Sequence, residues 1–288
     1  MKKSKKWIIT IIIIIVIVIM ALIGLMVYGI AIGSNFSFGE QTEMLYEENF
    51  KDIKKIEVDI TSYDVELKES NGSDLLVEIT GSMKNKDKIK VEQLEDELKI
   101  YQDGSIICIG LCLYKETITI YVPEDYELEY THESTSGSLK SEVALNNGKI
   151  KTTSGDIELA TMITGSLSST SGNIKISEGN NLEVSSTSGD INIDNVTDLQ
   201  GSATSGDVTI NELTNKVNFS TTSGEINLKK MNINEDSSLS ATSGNINIGL
   251  EKEIFIDAKT KSGDIDINNT NNSPSLTITT TSGDITAK

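Results

Sequence analysis

Side chains whose oxygen atoms could bind a metal ion recur at one position of a repeated motif in the second half of the chain. Each directly follows a glycine and carries a carboxylate or an amide: Asp156, Asn173, Asp190, Asp207, Glu225, Asn245, Asp264 and Asp284. Such oxygens are the ligands that Ca²⁺ prefers. Asp and Asn are also common in turns, because their side chains accept hydrogen bonds from nearby backbone N–H groups. We favour the turn role and predict no metal site, keeping as weak calcium candidates the aspartates of this set: Asp156, Asp190, Asp207, Asp264 and Asp284.

Cys108 and Cys112 are the second candidates for chemistry. They lie in a part of the chain that we expect to be exported, where disulfides persist. In an extended strand their Cα atoms would be ~13 Å apart, beyond the limit of about 7 Å for a disulfide. A bridge therefore requires the chain to turn at Gly110, and a disulfide and a pair of buried thiols both stay open. Two thiols without a nearby histidine make a poor zinc site.

The composition offers little to catalysis or to nucleic-acid binding. His132 is the single histidine and has no serine or cysteine partner at a recognisable spacing. All basic residues are lysine and the formal net charge is −18, the opposite of a nucleic-acid-binding footprint. Carboxylates recur at nearly every repeat, so none stand out as a pair for glycoside hydrolysis. We predict a non-enzymatic protein with no catalytic residue, no cofactor and no nucleic-acid partner.

An internal repeat positions these residues. A Ser-Gly unit, preceded by Thr in all copies but one, recurs every 17 to 20 residues, with its glycine at Gly137, Gly155, Gly172, Gly189, Gly206, Gly224, Gly244, Gly263 and Gly283. Such a period indicates stacked supersecondary units. We assign these glycines to tight corners, which need a positive φ or a close backbone approach. Gly189→Val should then cost several times more stability than Asp190→Asn, because valine blocks a left-handed corner.

Apolar residues alternate within each repeat, as in the pairs Ile191/Ile193 and Val217/Phe219. Each repeat is predicted to form a strand, a polar loop, a strand and a Thr-Ser-Gly turn. Parallel stacking of these units gives an all-β fold, a single-chain parallel β-solenoid or β-helix rising ~4.8 Å per coil. An antiparallel sandwich would explain the alternation but not the fixed corner. A disordered stalk would not retain alternating isoleucines.

The chain is predicted to divide into five segments. Residues 1–6 carry four lysines, and residues 7–32 are almost wholly apolar. As a helix the apolar segment would span ~39 Å, enough to cross a hydrocarbon core of ~30 Å. We predict an uncleaved transmembrane signal anchor with a cytoplasmic N-terminus; a cleaved signal peptide is the alternative. Residues 33–44 form a linker, 45–134 diverged coils or a cap, and 135–288 the repeat solenoid.

The sequence resembles the bacterial putative-adhesin family of unknown function, which includes membrane-anchored LiaG-like envelope proteins. The resemblance rests on Lys55-Ile56-Glu57-Val58, on Thr119-Ile120-Tyr121-Val122-Pro123 and on the serial Thr-Ser-Gly-Asp-Ile units, and it covers most of residues 50–288. It implies a β-solenoid outside a membrane, in the company of cell-envelope stress systems. The family has no established catalytic residues, and the segment from Cys108 to Cys112 departs from its pattern.

We therefore predict a binding, adhesion or scaffold module in the bacterial cell membrane, with its C-terminal domain extracytoplasmic. Its partners would be the membrane, through the N-terminal helix, and an envelope protein or polymer. The tyrosine-rich segment from Tyr101 to Tyr130 is the preferred partner-facing surface, since tyrosine is enriched at interfaces; these tyrosines could equally fill the core of the cap. The alternatives are an accessory regulator of a cell-envelope stress response and, third, a polysaccharide-cleaving β-helix.

Overall fold

The computed structural model describes residues 42–104, 115–124, 126–268, 270 and 272–288. These residues contain twenty strands and one 3₁₀ helix, Met83–Asn85. The strands are β1 (Glu43–Phe50), β2 (Lys55–Ile60), β3 (Asp64–Ser70), β4 (Leu75–Gly81), β5 (Ile89–Leu94), β6 (Glu97–Gln102), β7 (Thr117–Pro123), β8 (Glu129–Ser134), β9 (Leu139–Thr152), β10 (Ile157–Ser169), β11 (Ile174–Ser186), β12 (Ile191–Ala203), β13 (Val208–Thr221), β14 (Ile226–Met231), β15 (Ser237–Ser243), β16 (Ile246–Leu250), β17 (Phe255–Ser262), β18 (Ile265–Ile267), β19 (Ser275–Ser282) and β20 (Ile285–Ala287).

Two of the predicted features lie outside the described residues. These are the transmembrane segment 7–32 and the cysteine pair, Cys108 and Cys112. Across the described ranges, no helical segment has both the length and the apolar character needed to span a bilayer.

The predicted parallel solenoid is confirmed, with about nine turns. Strands β9 to β13 pair in parallel, so that Ile157, Ile174, Ile191 and Val208 lie side by side in one column. Among the described strands, antiparallel pairs occur only between β1 and β4, β4 and β7, and β5 and β6, all within the first part of the chain. The antiparallel sandwich is therefore excluded for the repeats.

The aliphatic columns form the core. Each inward isoleucine packs between the equivalent residues of the coils above and below, and Ile174 and Ile191 are fully buried. Burial of one such side chain contributes about 1.5–3 kcal/mol relative to full exposure. Because every coil buries its residues against its neighbours, a single coil would expose both sides of its core. The solenoid is stable only as a stack.

In the coils of β9 to β13 the polar connection is paired rather than looped, so the predicted loop was wrong there, whereas residues 232–236 and 251–254 of later coils do lie outside the strands. Residues 178–181 lie inside β11, where Glu178 pairs with Asn195 and Asn181 with Asp198 of the next coil. From β9 to β13 each coil is one strand of 13 or 14 residues. The polar side chains of this segment face outward, while its backbone continues the parallel ladder around the bend.

The corner glycines are required by close packing of backbone on backbone. A Cβ on Gly189 would lie 2.0 Å from the carbonyl oxygen of Gly172, and one on Gly206 would lie 2.2 Å from that of Gly189. Of the nine corner glycines only Gly263 and Gly283 have positive φ, at 147° and 150°. The left-handed corner predicted at Gly189 was therefore wrong, although the requirement for glycine holds.

A hydroxyl three residues before the glycine also fixes the corner. Thr152 Oγ1 accepts a hydrogen bond from Gly155 N–H at 2.9 Å, and Ser186 Oγ accepts one from Gly189 N–H at 3.0 Å. Both hydroxyls are buried. Each satisfies a backbone donor that the tight turn would otherwise leave unpaired in the interior.

The last coils are not stacked in chain order. Strand β19 pairs with β15 on one side and with β17 on the other, and β20 lies between β16 and β18. The chain therefore passes over one level, forms β17 and β18, and returns to fill the gap with its C-terminal strands. As a result Ile285 is buried, and the coil of β17 and β18 ends the stack of described strands.

The corner packing predicts a large difference between two adjacent positions. Gly189→Ala should lower the free energy of unfolding by about 3 kcal/mol, because its Cβ would collide with the Gly172 carbonyl and the coils would have to separate. The neighbouring Asp190→Asn keeps its side-chain acceptor and should change stability by less than about 0.5 kcal/mol. Urea unfolding followed by circular dichroism compares the two; similar losses would contradict the close-contact account.

A buried histidine lies in the first part of the solenoid. His132 on β8 is 1% exposed and its ring stacks on Tyr130, with the Tyr130 hydroxyl 3.2 Å from Nδ1. Among the described residues its Nε2 atom has no hydrogen-bond partner. Burial lowers the pKa of His132 to about 4, and burial likewise raises the pKa of Tyr130. His132 is thus a neutral residue of the core.

The lowered pKa of His132 predicts a loss of stability in mild acid. The unfolded chain takes up this proton near pH 6.5, whereas the folded chain resists it until about pH 4. The contribution of neutral His132 to the free energy of unfolding is therefore complete above pH 6.5, and it declines by about 3 kcal/mol on acidification to pH 4. His132→Phe removes the titrating group, so the free energy of unfolding of the variant should depend less on pH between pH 7 and 4.5. Parallel profiles for the two proteins, measured by urea unfolding, would refute the assignment.

Candidate functional site

The residues after the corner glycines form a ladder of hydrogen bonds between coils. Asn173 N–H donates to Asp156 Oδ1 at 2.8 Å, Asp207 N–H donates to Asp190 Oδ1 at 3.0 Å, and Glu225 N–H donates to Asp207 Oδ1 at 2.9 Å. Each side chain therefore holds the backbone of the next coil. At the end of the stack, Asp264 N–H donates to Asp284 Oδ1 at 2.9 Å.

The ladder does not depend on charge. The amide oxygen of Asn173 accepts from Asp190 N–H at 3.0 Å, and that of Asn245 accepts from Asp284 N–H at 2.9 Å. The hydroxyl of Ser138 takes the same place beneath Asp156. Because neutral oxygens accept the same bond, the structure gives the calcium candidates a structural role, but the acceptor serves the backbone of the adjacent coil and not the local turn that was predicted. In the part of the chain that the structure describes, no group of three or more His, Cys, Asp or Glu side chains is arranged to hold a metal.

This role predicts insensitivity to calcium. EDTA, and calcium added afterwards, should leave the melting temperature unchanged. Asp207→Ala should lower stability by about 1 kcal/mol, because the Glu225 N–H loses its acceptor, whereas Asp207→Asn preserves that acceptor. A fall in melting temperature on chelation, reversed by calcium, would show that the carboxylates bind the ion.

The described tyrosines of the cap do not form an open aromatic surface, and Tyr114 lies outside the described residues. Tyr63 and Tyr130 are fully buried and contribute to the core. Tyr126 is partly buried against that core, and Tyr101 is half-buried with its hydroxyl donating to Glu92 Oε1 at 2.6 Å. Of the two roles open to this segment, the described tyrosines favour the core of the cap.

One concave surface is a groove along the outer side of β8 to β13, with a volume of about 650 Å³. Its walls are two outward columns of side chains, which we call the groove columns. The first contains Glu129, Asn147, Thr164, Asn181, Asp198 and Lys216, and the second contains Thr131, Lys149, Ser166, Glu183, Gln200 and Asn218. The parallel register places one member of each column on every coil.

The residues between the groove columns point into the core. Leu182 and Leu199 are buried, and Gly148 and Gly165 leave room for the Met162 side chain, which a Cβ at either position would strike. The floor of the groove is therefore backbone, with aliphatic side chains beneath it and not on its surface. The sequence pattern shows the alternation here, but it cannot show that these columns line a concave surface.

Many polar groups of the groove columns are free to meet a ligand. Within the described residues, the side-chain amides of Asn147, Asn181 and Gln200 form no hydrogen bond. At the far end the groups are already engaged: Asp198 Oδ1 accepts from Asn215 Nδ2 at 2.6 Å, and Lys216 Nζ donates to a Glu235 carboxylate oxygen at 2.9 Å. The hydrogen bond to Glu235 raises the pKa of Lys216 and keeps it protonated.

The groove is close to neutral although the chain is acidic. Its lining contains three carboxylates, Glu129, Glu183 and Asp198, and two ammonium groups, Lys149 and Lys216. The remaining polar groups of the columns are hydroxyls and amides. This mixture of donors and acceptors suits a hydroxyl-rich neutral ligand better than an anion.

Two solved structures are among those similar to this chain. A putative adhesin from Bacteroides fragilis NCTC 9343 is 17% identical, over 87% of this chain and 98% of that chain, with a TM-score of 0.46. A putative lipid binding protein from Parabacteroides distasonis ATCC 8503 is 19% identical, over 86% and 97%, with a TM-score of 0.45. At these TM-scores the two likenesses add nothing to the fold described above. Among curated proteins no sequence matches this chain.

A family profile matches more than half of the chain. The profile described as Toastrack DUF4097 covers residues 53–255, from the strands of the cap through most of the repeats. The expected membership of a putative-adhesin family of unknown function is thereby confirmed. The chain belongs to the Toastrack DUF4097 family.

Proposed function

We propose that this protein is a non-enzymatic binding module of the bacterial cell envelope, anchored by residues 7–32, whose groove binds a neutral, hydroxyl-rich polymer. The observation that carries the proposal is the pair of groove columns on β8 to β13, which presents unpaired amides and hydroxyls in register on successive coils. A polymer lying along the solenoid axis would meet an equivalent pair of polar side chains every ~4.8 Å.

The chemistry of the groove argues for a polysaccharide rather than a lipid. An acyl chain needs an apolar lining, but the leucines of this region, Leu182 and Leu199, are buried beneath the backbone. Sugar hydroxyls both donate and accept hydrogen bonds, as do the Asn181 and Gln200 amides that face the groove. The acidic charge of the chain disfavours an anionic polymer, because like charges repel over about 8–10 Å at physiological salt.

The proposal of binding without catalysis rests on the same lining. A glycosidase needs two carboxyl groups placed on opposite sides of one bond. The groove carboxylates lie among amides and lysines. Incubation of the protein with the bound polymer should release no reducing ends, and release of sugar would overturn this part of the proposal.

Binding can be tested with two matched asparagine variants. Asn181→Ala removes an exposed amide from the groove, and Asn192→Ala removes an exposed amide from the opposite half of the next coil. The full chain in detergent is sedimented with insoluble neutral glycan, such as chitin, cellulose or wall material stripped of anionic polymers. Loss of one hydrogen bond should weaken binding about fivefold for Asn181→Ala, and Asn192→Ala should bind as the wild type does.

The double variant Asn181→Ala/Gln200→Ala extends this test across both groove columns. It should bind more weakly than either single variant, with an unchanged melting temperature, since neither amide holds the fold together. Equal binding by the wild type and the double variant, or a requirement for an anionic polymer, would overturn the proposed ligand class.

A further inference from the structure

The end of the solenoid formed by β17 and β18 is an open sheet edge. Strand β17 pairs only with β19, and β18 only with β20, among the strands that the structure describes. In a parallel ladder alternate backbone groups point to each side, so half of those on an end strand face outward without a strand partner. Such an edge can pair with another strand.

The open edge leaves one residue of the inward column, Ile265, without a covering coil. Ile265 lies in the same inward column as Ile285 and Ile246, yet it is 43% exposed whereas Ile285 is 1% exposed. Phe255, at the start of β17, is 41% exposed on the outward face of that strand, beside the buried Ile256. The exposure of Ile265 arises because none of the described strands stacks on β18, and a further layer of strands would cover it.

The charges of β17 are complementary to a second copy of the same strand. Asp257 and Lys259 lie on the outer face, two residues apart, with Ala258 between them. If two β17 strands pair antiparallel about Ala258, Asp257 of each copy lies directly opposite Lys259 of the other. The interface then contains two cross-strand ion pairs, which are attractive at this spacing. Within one chain Lys259 Nζ lies 2.7 Å from Asp257 Oδ2, so both side chains already reach along this face.

The two-fold arrangement suits the rest of the end coil. Asp264 directly precedes β18 and Asp266 lies within it; both are exposed, and Asp266 is paired with Lys288. Strand β18 therefore contributes no attractive charge pair, and β17 sets the register. A two-fold interface uses the same surface on both copies and closes at a dimer, so it leaves no further edge to extend into a fibre.

We propose that two copies of this protein dimerise end to end by antiparallel pairing of their β17 strands, continuing the sheet from one solenoid into the other. This inference is independent of the proposed glycan groove, because β17 and β18 contribute no residue to it.

A charge-swap series tests the interface in the full chain. Lys259→Asp places like charges opposite each other in both pairs, and should weaken dimerisation about tenfold. The reciprocal variant Asp257→Lys should have the same effect. The double variant Asp257→Lys/Lys259→Asp restores both pairs and should return the dimer affinity to near the wild-type value. Lys175→Asp serves as control, because Lys175 makes a similar surface ion pair, 3.0 Å from Glu158, away from the open edge.

Sedimentation equilibrium in detergent, from low to high micromolar protein, measures the association, with melting temperatures confirming that each variant is folded. A wild-type chain that stays monomeric overturns the proposal and leaves the edge to a strand of another protein. Association that Lys259→Asp does not weaken also overturns it, because the contact would then lie elsewhere, such as in residues 7–32. Equal weakening by the single and the double variants would exclude the antiparallel register about Ala258.

Discussion

Direct stacking of backbone on backbone at the Thr-Ser-Gly corner is the constraint on which the rest of the structure depends. At this corner successive glycines approach so closely that a single Cβ would overlap the carbonyl group of the coil below. The approach brings the Ser-Gly backbone of each coil within hydrogen-bond distance of the next, as in the 2.9 Å bond from Ser188 N–H to the Thr170 carbonyl. The ladder consequently continues around the bend, and the aliphatic columns on both sides of it stay in register.

The polar residues of the repeat form two groups: those that bond the backbone of the adjacent coil at the corner, and those that face outward. The oxygens that follow the glycine are used internally, since each one accepts the backbone N–H of the next coil. The residues on the outward positions of β9 to β12 have no such duty, and Asn147, Asn181 and Gln200 are left with unpaired amides. The same repetition that builds the core thus produces a regular polar surface, on which a long ligand meets similar groups at each coil.

The C-terminal strands give the solenoid an unusual end. A solenoid commonly closes its last coil with a cap, because an exposed core and an unpaired sheet edge favour association. Here the chain inserts β19 and β20 beneath the coil that ends the stack, so the C-terminal isoleucine Ile285 is buried and Ile265 is exposed. Because of this insertion the open edge is β17, which carries Asp257 and Lys259 two residues apart, and this pair makes the edge suitable for a partner strand of complementary charge.

The sequence alone determined the parallel solenoid, because a glycine at every 17 to 20 residues and alternating isoleucines are local properties that any stacked arrangement must satisfy. It also determined that glycine is required at Gly189, though not the reason, which depends on the distance to Gly172 and not on the φ angle. Three features were decided only by the tertiary structure: the paired bend at residues 178–181, the concave side of the outward columns, and the position of β19 beneath β17. Each depends on which strands become neighbours and at what curvature. Because the coils have similar sequences, local sequence does not decide which two coils become neighbours. Their order is decided by the free energy of the whole stack.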